Sequence, residues 1–322
     1  MRILIADKFP ETHRTELIEL GHSCDYRPDL KSEDLEREIL GVDILVVRST
    51  EVKASVFVNG CDLKMVVRAG AGTNTIDKIT ARRRGVHVCN VPGKNAFAVA
   101  ELTFGLILAI DRNIPDNVVD LRAGVWNKKL YSVSKGIYGL KIGIVGTGAI
   151  GLAVAQRANA FGMKIVVIDK PNRDSETKKV LYEVGATGVP DIQALAQACD
   201  ILSLHVPATT DTIGMIDVEL LSLMKEGTVL INTSRGDLIN EEALLEVLDS
   251  KNLRVGIDVY ANEPTSGEEE FYSKLAQHPN VYGTHHIGAS TSQAQNAVAA
   301  GVTEIVEAYS KGEVLHSVNL DI

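Results

Sequence analysis

Over its first ninety residues the chain alternates short apolar runs with stretches in which apolar and charged positions mix at helical spacing. The apolar runs are "RILIAD", "DILVVRS", "KMVVRAG" and "VHVCN", and "ETHRTELIEL", "SEDLEREIL" and "NTIDKITARRRG" lie between them. Strands separated by helices of this length imply a parallel sheet with right-handed crossovers. "VPGKN", residues 91 to 95, breaks the pattern with Pro92 and Gly93, the composition of a hinge. A long helix is expected from about residue 96 to 109, continuing irregularly to residue 124.

A second alternating series begins at Leu140: "KIGIVGTGAIG", "KIVVID", "ATGVP", "DILSLHVP", "TVLINTSRGD", "RVGIDVYANEP" and "NVYGTHHIG", with helical segments between. The fold class is therefore α/β, with two doubly wound parallel-sheet domains. A last helix, about residues 292 to 311, and the tail "EVLHSVNLDI" follow once the second sheet is filled. They are expected to cross back to the first domain. The expected division is residues 1–95 plus 292–322 for the first domain and 96–291 for the second.

Length agrees with two domains, because 322 residues exceed the size at which a single core usually stops growing. The net charge of −9 argues against broad binding to nucleic acid or an anionic membrane, so an anionic ligand needs locally placed cations. Cys24, Cys61, Cys89 and Cys199 are scattered and form no zinc pattern, which predicts no metal site and fits reduced thiols in the cytoplasm. The apolar run in "MRILIADKFP" is too short for a signal-peptide core. The most apolar segment, "FAVAELTFGLILAI" from Phe97 to Ile110, carries Glu101 and is too short for a membrane span, so it reads as a buried helix.

Gly146, Gly148 and Gly151 in "KIGIVGTGAIG" have G-x-G-x-x-G spacing between an apolar strand and an apolar helix start. Asp169 closes the next strand eighteen residues after Gly151, where a dinucleotide fold places a carboxylate on the adenosine ribose. The glycines let the backbone approach a pyrophosphate while the helix N-terminus supplies amide donors and positive dipole. An acid at Asp169 repels a 2′-phosphate, which favours NAD over NADP, although Lys170 and Arg173 stand close by to counter it.

Three later strand ends carry the chemistry of a hydroxyl–carbonyl interconversion. "LINTSRGDLINEEAL" exposes Arg235, "GIDVYANEP" delivers Glu263, and "YGTHHIGAST" presents His285 and His286. Open α/β sheets bind ligands beyond the carboxyl ends of their strands, so the three types should converge on one crevice. Histidine serves as base in oxidation and as acid in reduction. A carboxylate on its second nitrogen fixes the tautomer, and a guanidinium grips a substrate carboxylate while polarising the neighbouring carbonyl. Taken singly, each residue is better read as an ion-pair partner or a loop residue, and the catalytic reading gains only because all three fall at strand ends on the nucleotide-binding half.

The motifs "VVRST", "RAGAGTNTID", "NVPGKNAFAVAELTFGLIL", "GIVGTGAIG", "NTSRGDLINEEAL", "DVYANEP" and "HHIGAST" together resemble the D-isomer-specific 2-hydroxyacid dehydrogenase family over nearly the whole chain. The resemblance implies a flavodoxin-like substrate domain, a Rossmann NAD-binding domain, and Arg235, Glu263 and His286 as the catalytic residues. His285 stands where the family usually has proline. Cofactor contacts are implied at Gly146, Gly148, Ala149, Ile150, Gly151, Asp169, His205, Val206, Pro207, Thr233, Ser234, Asp258 and Gly288. Backbone amides of Ala69, Gly70, Ala71 and Gly72 would hold the substrate carboxylate, with Asn95 nearby.

Within the family the expected substrate is D-3-phosphoglycerate, oxidised in serine biosynthesis, with Arg48 at a strand end as candidate phosphate ligand. A sister enzyme acting on glyoxylate, hydroxypyruvate or a lactate-like acid is the alternative, and an NAD-sensing corepressor-like protein a more distant one. A homodimer through the cofactor domains is implied, with the helix at 97–110 as an interface element. Because the chain ends at Ile322, no C-terminal regulatory domain and no serine feedback are expected.

Overall fold

The computed structural model describes residues 1–264 and 268–320. The last two residues of the expected first domain, 321 and 322, lie outside it. The chain divides into two compact units, Met1–Asn95 with the chain from Ala289 onward, and Ala96–Gly288.

The smaller unit holds five parallel strands, β1 (Arg2–Ile5), β2 (Ser23–Tyr26), β3 (Ile44–Val47), β4 (Met65–Arg68) and β5 (His87–Asn90), in the order β2-β1-β3-β4-β5. That is the flavodoxin-like order, whose switch point lies between β1 and β3. β3, "ILVV", is buried at all four positions because helices cover both faces of the sheet. Ile3, Ile5, Val46 and Val67 face Val298, Val302 and Ile305 of the helix Ser292–Ser310, and Leu4, Leu45 and Val66 face Ile39 and Phe57 on the other side. The edge strand β2, "SCDY", has no apolar run, so its sequence gives no strand signal.

Seven parallel strands form the larger unit's sheet: β6 (Lys141–Val145), β7 (Lys164–Ile168), β8 (Thr187–Val189), β9 (Ile201–Leu204), β10 (Val229–Asn232), β11 (Arg254–Ile257) and β12 (Val281–Gly283). Their order is β12-β11-β10-β9-β6-β7-β8, a Rossmann arrangement extended by one strand, with its switch point between β6 and β9. Several of its helices start on Asp174, Asp191, Asp217 or Asn240, whose side chains accept the N–H three residues on and satisfy a donor that the first turn leaves unpaired.

The expected long helix runs from Ala96 to Arg112 and then breaks. Asn113 adopts the left-handed conformation, and a new helix, Ile114–Arg122, begins with Pro115 in its first turn, where a missing N–H costs nothing. Ala100, Phe104, Ile107 and Ile110 of the first helix are buried within their own unit. Phe97 on the same helix is exposed, and further exposed apolar residues come later, at Val119, Leu121, Trp126, Leu130, Val133 and Tyr138. No described helix is long and apolar enough to cross a membrane.

Candidate active site

At the β6/β9 switch point the backbone is too close for side chains. His205 follows β9 and donates its N–H to Val145 O at 2.7 Å, so a Cβ on Gly146 would lie 2.3 Å from the His205 carbonyl oxygen. Gly146 also has φ +98°, and a Cβ on Gly151 would lie 1.9 Å from Gly146 O. Above Gly148 nothing lies within 4 Å. Two glycines are thus forced by packing and the third leaves open space at the start of the helix Ala149–Ala160, of which Ala149 and Ile150 form the first turn. This cradle fits a dinucleotide pyrophosphate, which the first-turn amides would hold.

Asp169 follows β7, donates its N–H to Val189 O, and lays its carboxylate over Gly188, where a Cβ would be 2.0 Å from Oδ1. Arg173 reaches back to the glycine loop, donating to Thr147 Oγ1 at 3.2 Å and to the Ile168 carbonyl. The enclosed ring of His205 bonds Ser203 Oγ through Nε2 at 2.8 Å, and burial pushes its pKa down to about 3. Val206 packs beside Gly146, and the Pro207 carbonyl accepts from Thr212 Oγ1 at 2.6 Å.

The three catalytic candidates sit on successive strand ends of the same sheet. Asn232 is buried at the end of β10 and shapes the turn after it. Its amide donates to the Arg235 carbonyl at 2.8 Å, and its side-chain oxygen accepts the Ser234 N–H at 3.1 Å. Ser234 Oγ donates to Leu204 O at 2.6 Å, and Thr233 Oγ1 meets Thr103 Oγ1 at 3.1 Å, which ties the turn to its neighbours. Gly236 lies flat on the following loop, since a Cβ there would be 2.0 Å from the Tyr260 carbonyl carbon. The Arg235 turn therefore rests on the segment that leads to Glu263.

Glu263 Oε1 lies 2.6 Å from His286 Nδ1. Burial pushes the Glu263 carboxyl up, but the His286 hydrogen bond and the charges of His286 and Arg235 overcome it and hold it below the ordinary glutamate value of 4.5. A carboxylate only accepts, so at neutral pH Nδ1 carries the hydrogen and Nε2 is the atom that takes or gives a proton. His286 itself has φ +50°, a left-handed conformation. Buried Asp258 bonds the turn around it, and Gly288 donates its N–H to Asp258 Oδ2 at 2.8 Å.

In the smaller unit Arg48 stands at the end of β3. Asp7, beyond β1, accepts the N–H groups of Arg48, Ser49 and Thr50 at 2.6, 3.1 and 3.1 Å. The Arg48 guanidinium donates to Ser290 Oγ at 3.3 Å, and among the described residues no carboxylate pairs with it. The loop after β4 is fixed by Ala69 N–H to Val47 O at 2.7 Å, Val91 N–H to Gly70 O at 2.9 Å and Asn90 to Ala71 O at 2.5 Å. Among the described residues no acceptor takes the N–H of Ala71 or Gly72. Asn95 is half-buried at the end of this unit's first segment.

Sequence reasoning did not single out Asp7, Asn232 or Thr284. Each binds backbone or a carboxylate brought up by the fold, and only their places at or just beyond strand ends hinted at it. Among the described residues no group of three His, Cys, Asp or Glu side chains is placed to hold a metal.

Residues 104–288 match the family model of the D-isomer specific 2-hydroxyacid dehydrogenase NAD binding domain. The chain is 41% identical over 279 residues to a hydroxypyruvate reductase of Thermotoga maritima, covering 85% of this chain and 87% of that one. It is 38% identical over 322 residues to a D-3-phosphoglycerate dehydrogenase of Methanocaldococcus jannaschii, covering 99% of this chain but only 59% of that longer protein. Among solved structures, the NAD-bound 3-phosphoglycerate dehydrogenase of Entamoeba histolytica superposes with a TM-score of 0.80 at 28% identity, covering 99% of this chain and 98% of that one.

Proposed function

The chain belongs to the D-isomer-specific 2-hydroxyacid dehydrogenase family, and from that premise we propose that it oxidises D-3-phosphoglycerate to 3-phosphohydroxypyruvate. The single observation that carries a dehydrogenase reading is the 2.6 Å bond between His286 Nδ1 and Glu263, with the Arg235 turn resting on the same loop. NAD, held by the glycine cradle at residues 146–151 and by Asp169, would supply the hydride acceptor for the substrate's C2. His286 Nε2 removes the hydroxyl proton in oxidation and returns it in reduction, while Glu263 holds the ring and balances its charge. Arg235 binds the substrate carboxylate and polarises the C2 oxygen. The amides of Ala71 and Gly72 in the smaller unit, which lack acceptors among the described residues, are suited to an anionic group.

Arg48 gives the reading its substrate. It lies at the β1/β3 switch point without a carboxylate partner among the described residues, and a guanidinium matches phosphate geometry. The reading includes a cytoplasmic homodimer formed through the NAD-binding units. Its interface element would be the helix at 97–110, on which Phe97 is exposed, and exposed Val119, Trp126, Leu130, Val133 and Tyr138 of the same unit supply further apolar side chains. A second reading, reduction of hydroxypyruvate or glyoxylate, is favoured by the 41% identity to the Thermotoga reductase.

A panel assay separates the readings: D-3-phosphoglycerate, D-glycerate and D-lactate with NAD, and phosphohydroxypyruvate, hydroxypyruvate and glyoxylate with NADH. The highest kcat/KM is expected on the phosphorylated pair. A maximum on the unphosphorylated acids selects the second reading, and NADH binding with no turnover on any acid selects a sensor.

A further inference from the structure

The turn carrying His286 has an uncommon backbone conformation that one buried carboxylate holds in place. His286 occupies the left-handed region, φ +50°, although it is not glycine. Such a conformation persists only where the surroundings over-determine it. Asp258, 1% exposed beyond β11, supplies those surroundings. Its Oδ1 accepts from Thr284 Oγ1 at 2.6 Å and from the Ile287 N–H at 2.8 Å, and its Oδ2 accepts the Gly288 N–H at 2.8 Å. Its carbonyl accepts the His286 N–H at 2.8 Å, and its own N–H is anchored on Asn232 O at 2.9 Å. Gly288 is close enough that an added Cβ would sit 3.1 Å from Oδ2.

The family resemblance gives Asp258 to the cofactor, yet here both carboxylate oxygens are engaged by the turn on either side of the histidine. We propose that Asp258 is a positioning residue: its carboxylate locks residues 284–288 so that His286 Nδ1 meets Glu263 and Nε2 is held ready for proton transfer. Asparagine cannot replace it, because its amide nitrogen would donate towards groups that are themselves donors. The lock is assembled from chain segments on three adjacent strand ends, β10, β11 and β12. The proposal rests on the dehydrogenase reading for its catalytic consequence, but the ring geometry can be read without turnover.

The test compares Asp258→Asn, Thr284→Val and Thr284→Ser with the wild type. Misplacing a catalytic group by about 1 Å costs on the order of 10²-fold. Asp258→Asn is expected to lower kcat by about that factor and displace the limbs of the kcat–pH profile. NADH affinity, followed by titration calorimetry, should change less than about threefold, a shift of under half a tenfold step. Thr284→Val should fall part of the way, and Thr284→Ser, which keeps the hydroxyl, should match the wild type.

In the cofactor-free protein, the NMR titration of the His286 ring should move in Asp258→Asn and Thr284→Val and stay in Thr284→Ser. That result stands even if no acid in the panel is turned over, which separates this proposal from the substrate reading. An Asp258→Asn variant with unchanged kcat at saturating NADH and strongly weakened NADH binding overturns it in favour of a cofactor ligand. Should Asp258→Asn not fold, Thr284→Val decides, and an unchanged His286 titration and pH profile in that variant reject the lock.

Discussion

The strand ends of the two units are built on opposite plans. In the larger unit Glu263 Oε1 is paired with His286, Asp258 with its turn and Ser234 with Leu204 O, and only Glu263 Oε2 and His205 Nδ1 of these site groups are buried without a partner among the described residues. In the smaller unit only the backbone frame is satisfied, Asp7 holding residues 48–50, while the Arg48 guanidinium and the amides of Ala71 and Gly72 have no carboxylate or carbonyl on them among the described residues. A paired group is rigid before any ligand arrives, which is what proton transfer requires. An unpaired cation or amide is completed by an anion, which is what recognition requires. Substitutions in the first region should therefore act on kcat, and substitutions in the second on KM and substrate choice.

The largest effect should come from the adjacent histidines. His286→Ala is expected to lower kcat by about 10²- to 10⁴-fold, the usual worth of general acid–base catalysis, with NADH affinity little changed. His285→Ala should be mild, because only His286 bonds Glu263. Stopped-flow measurement of NADH oxidation checks both, and the reverse pattern would assign the proton to His285.

Arg48→Ala tests the other side of the comparison. Loss of a charge-assisted hydrogen bond is worth about 1.5–3 kcal/mol, so KM for a phosphorylated acid should rise about 10- to 100-fold with kcat nearly constant. KM for D-glycerate should move much less. Equal losses on both substrates would make Arg48 a structural residue held by Ser290.

Much of this division was legible in the residue pattern. The places of the glycine motif, Asp169 and the three strand-end residues on the sheet can be read from the sequence, because strand–turn–helix spacing fixes where a Rossmann sheet puts its loops. The supports were not legible. Asp7 serves residues 48–50 and Asp258 serves residues 284–288, and a carboxylate bonding backbone from a distant segment leaves no local spacing to read. Edge strand β2 escaped for the opposite reason: half-exposed, it needs no apolar run. The helix break at Asn113 was hidden because Pro115 falls where a helix start tolerates it.

A smaller effect is expected at the cofactor's adenosine end. Asp169→Ala should weaken NAD binding by about tenfold, the loss of one hydrogen-bonded carboxylate, and narrow the NAD-to-NADP ratio of kcat/KM. Arg173, already bonded to Thr147, is placed to take up a 2′-phosphate once the acid is gone. An unchanged ratio would mean that the carboxylate lying over Gly188 does not reach the ribose.

The subtlest test asks whether the larger unit's site is preformed in the absence of ligand, and it uses pH. His205 lies against Gly146 with its ring enclosed, and burial lowers its pKa from 6.5 to about 3. Below pH 6.5 the unfolded chain binds a proton on this ring that the folded protein refuses, so folding stability falls as pH drops from 6.5 towards 3. One such group contributes a slope of at most about 1.4 kcal/mol per pH unit. The lowered carboxyls of Asp43, Asp174, Asp200 and Glu263 add their losses only nearer their ordinary values of 3.8 and 4.5, which leaves pH 6.5 to 5 as the clean window. His22, also lowered, titrates in the same window but is common to both proteins in the comparison. Urea unfolding of wild type and His205→Gln at pH 7, 6 and 5 should give a shallower decline in the variant, whatever its stability at pH 7. Parallel declines would mean that the His205 ring is protonated in the folded protein, and that the glycine cradle opens to water until a cofactor closes it.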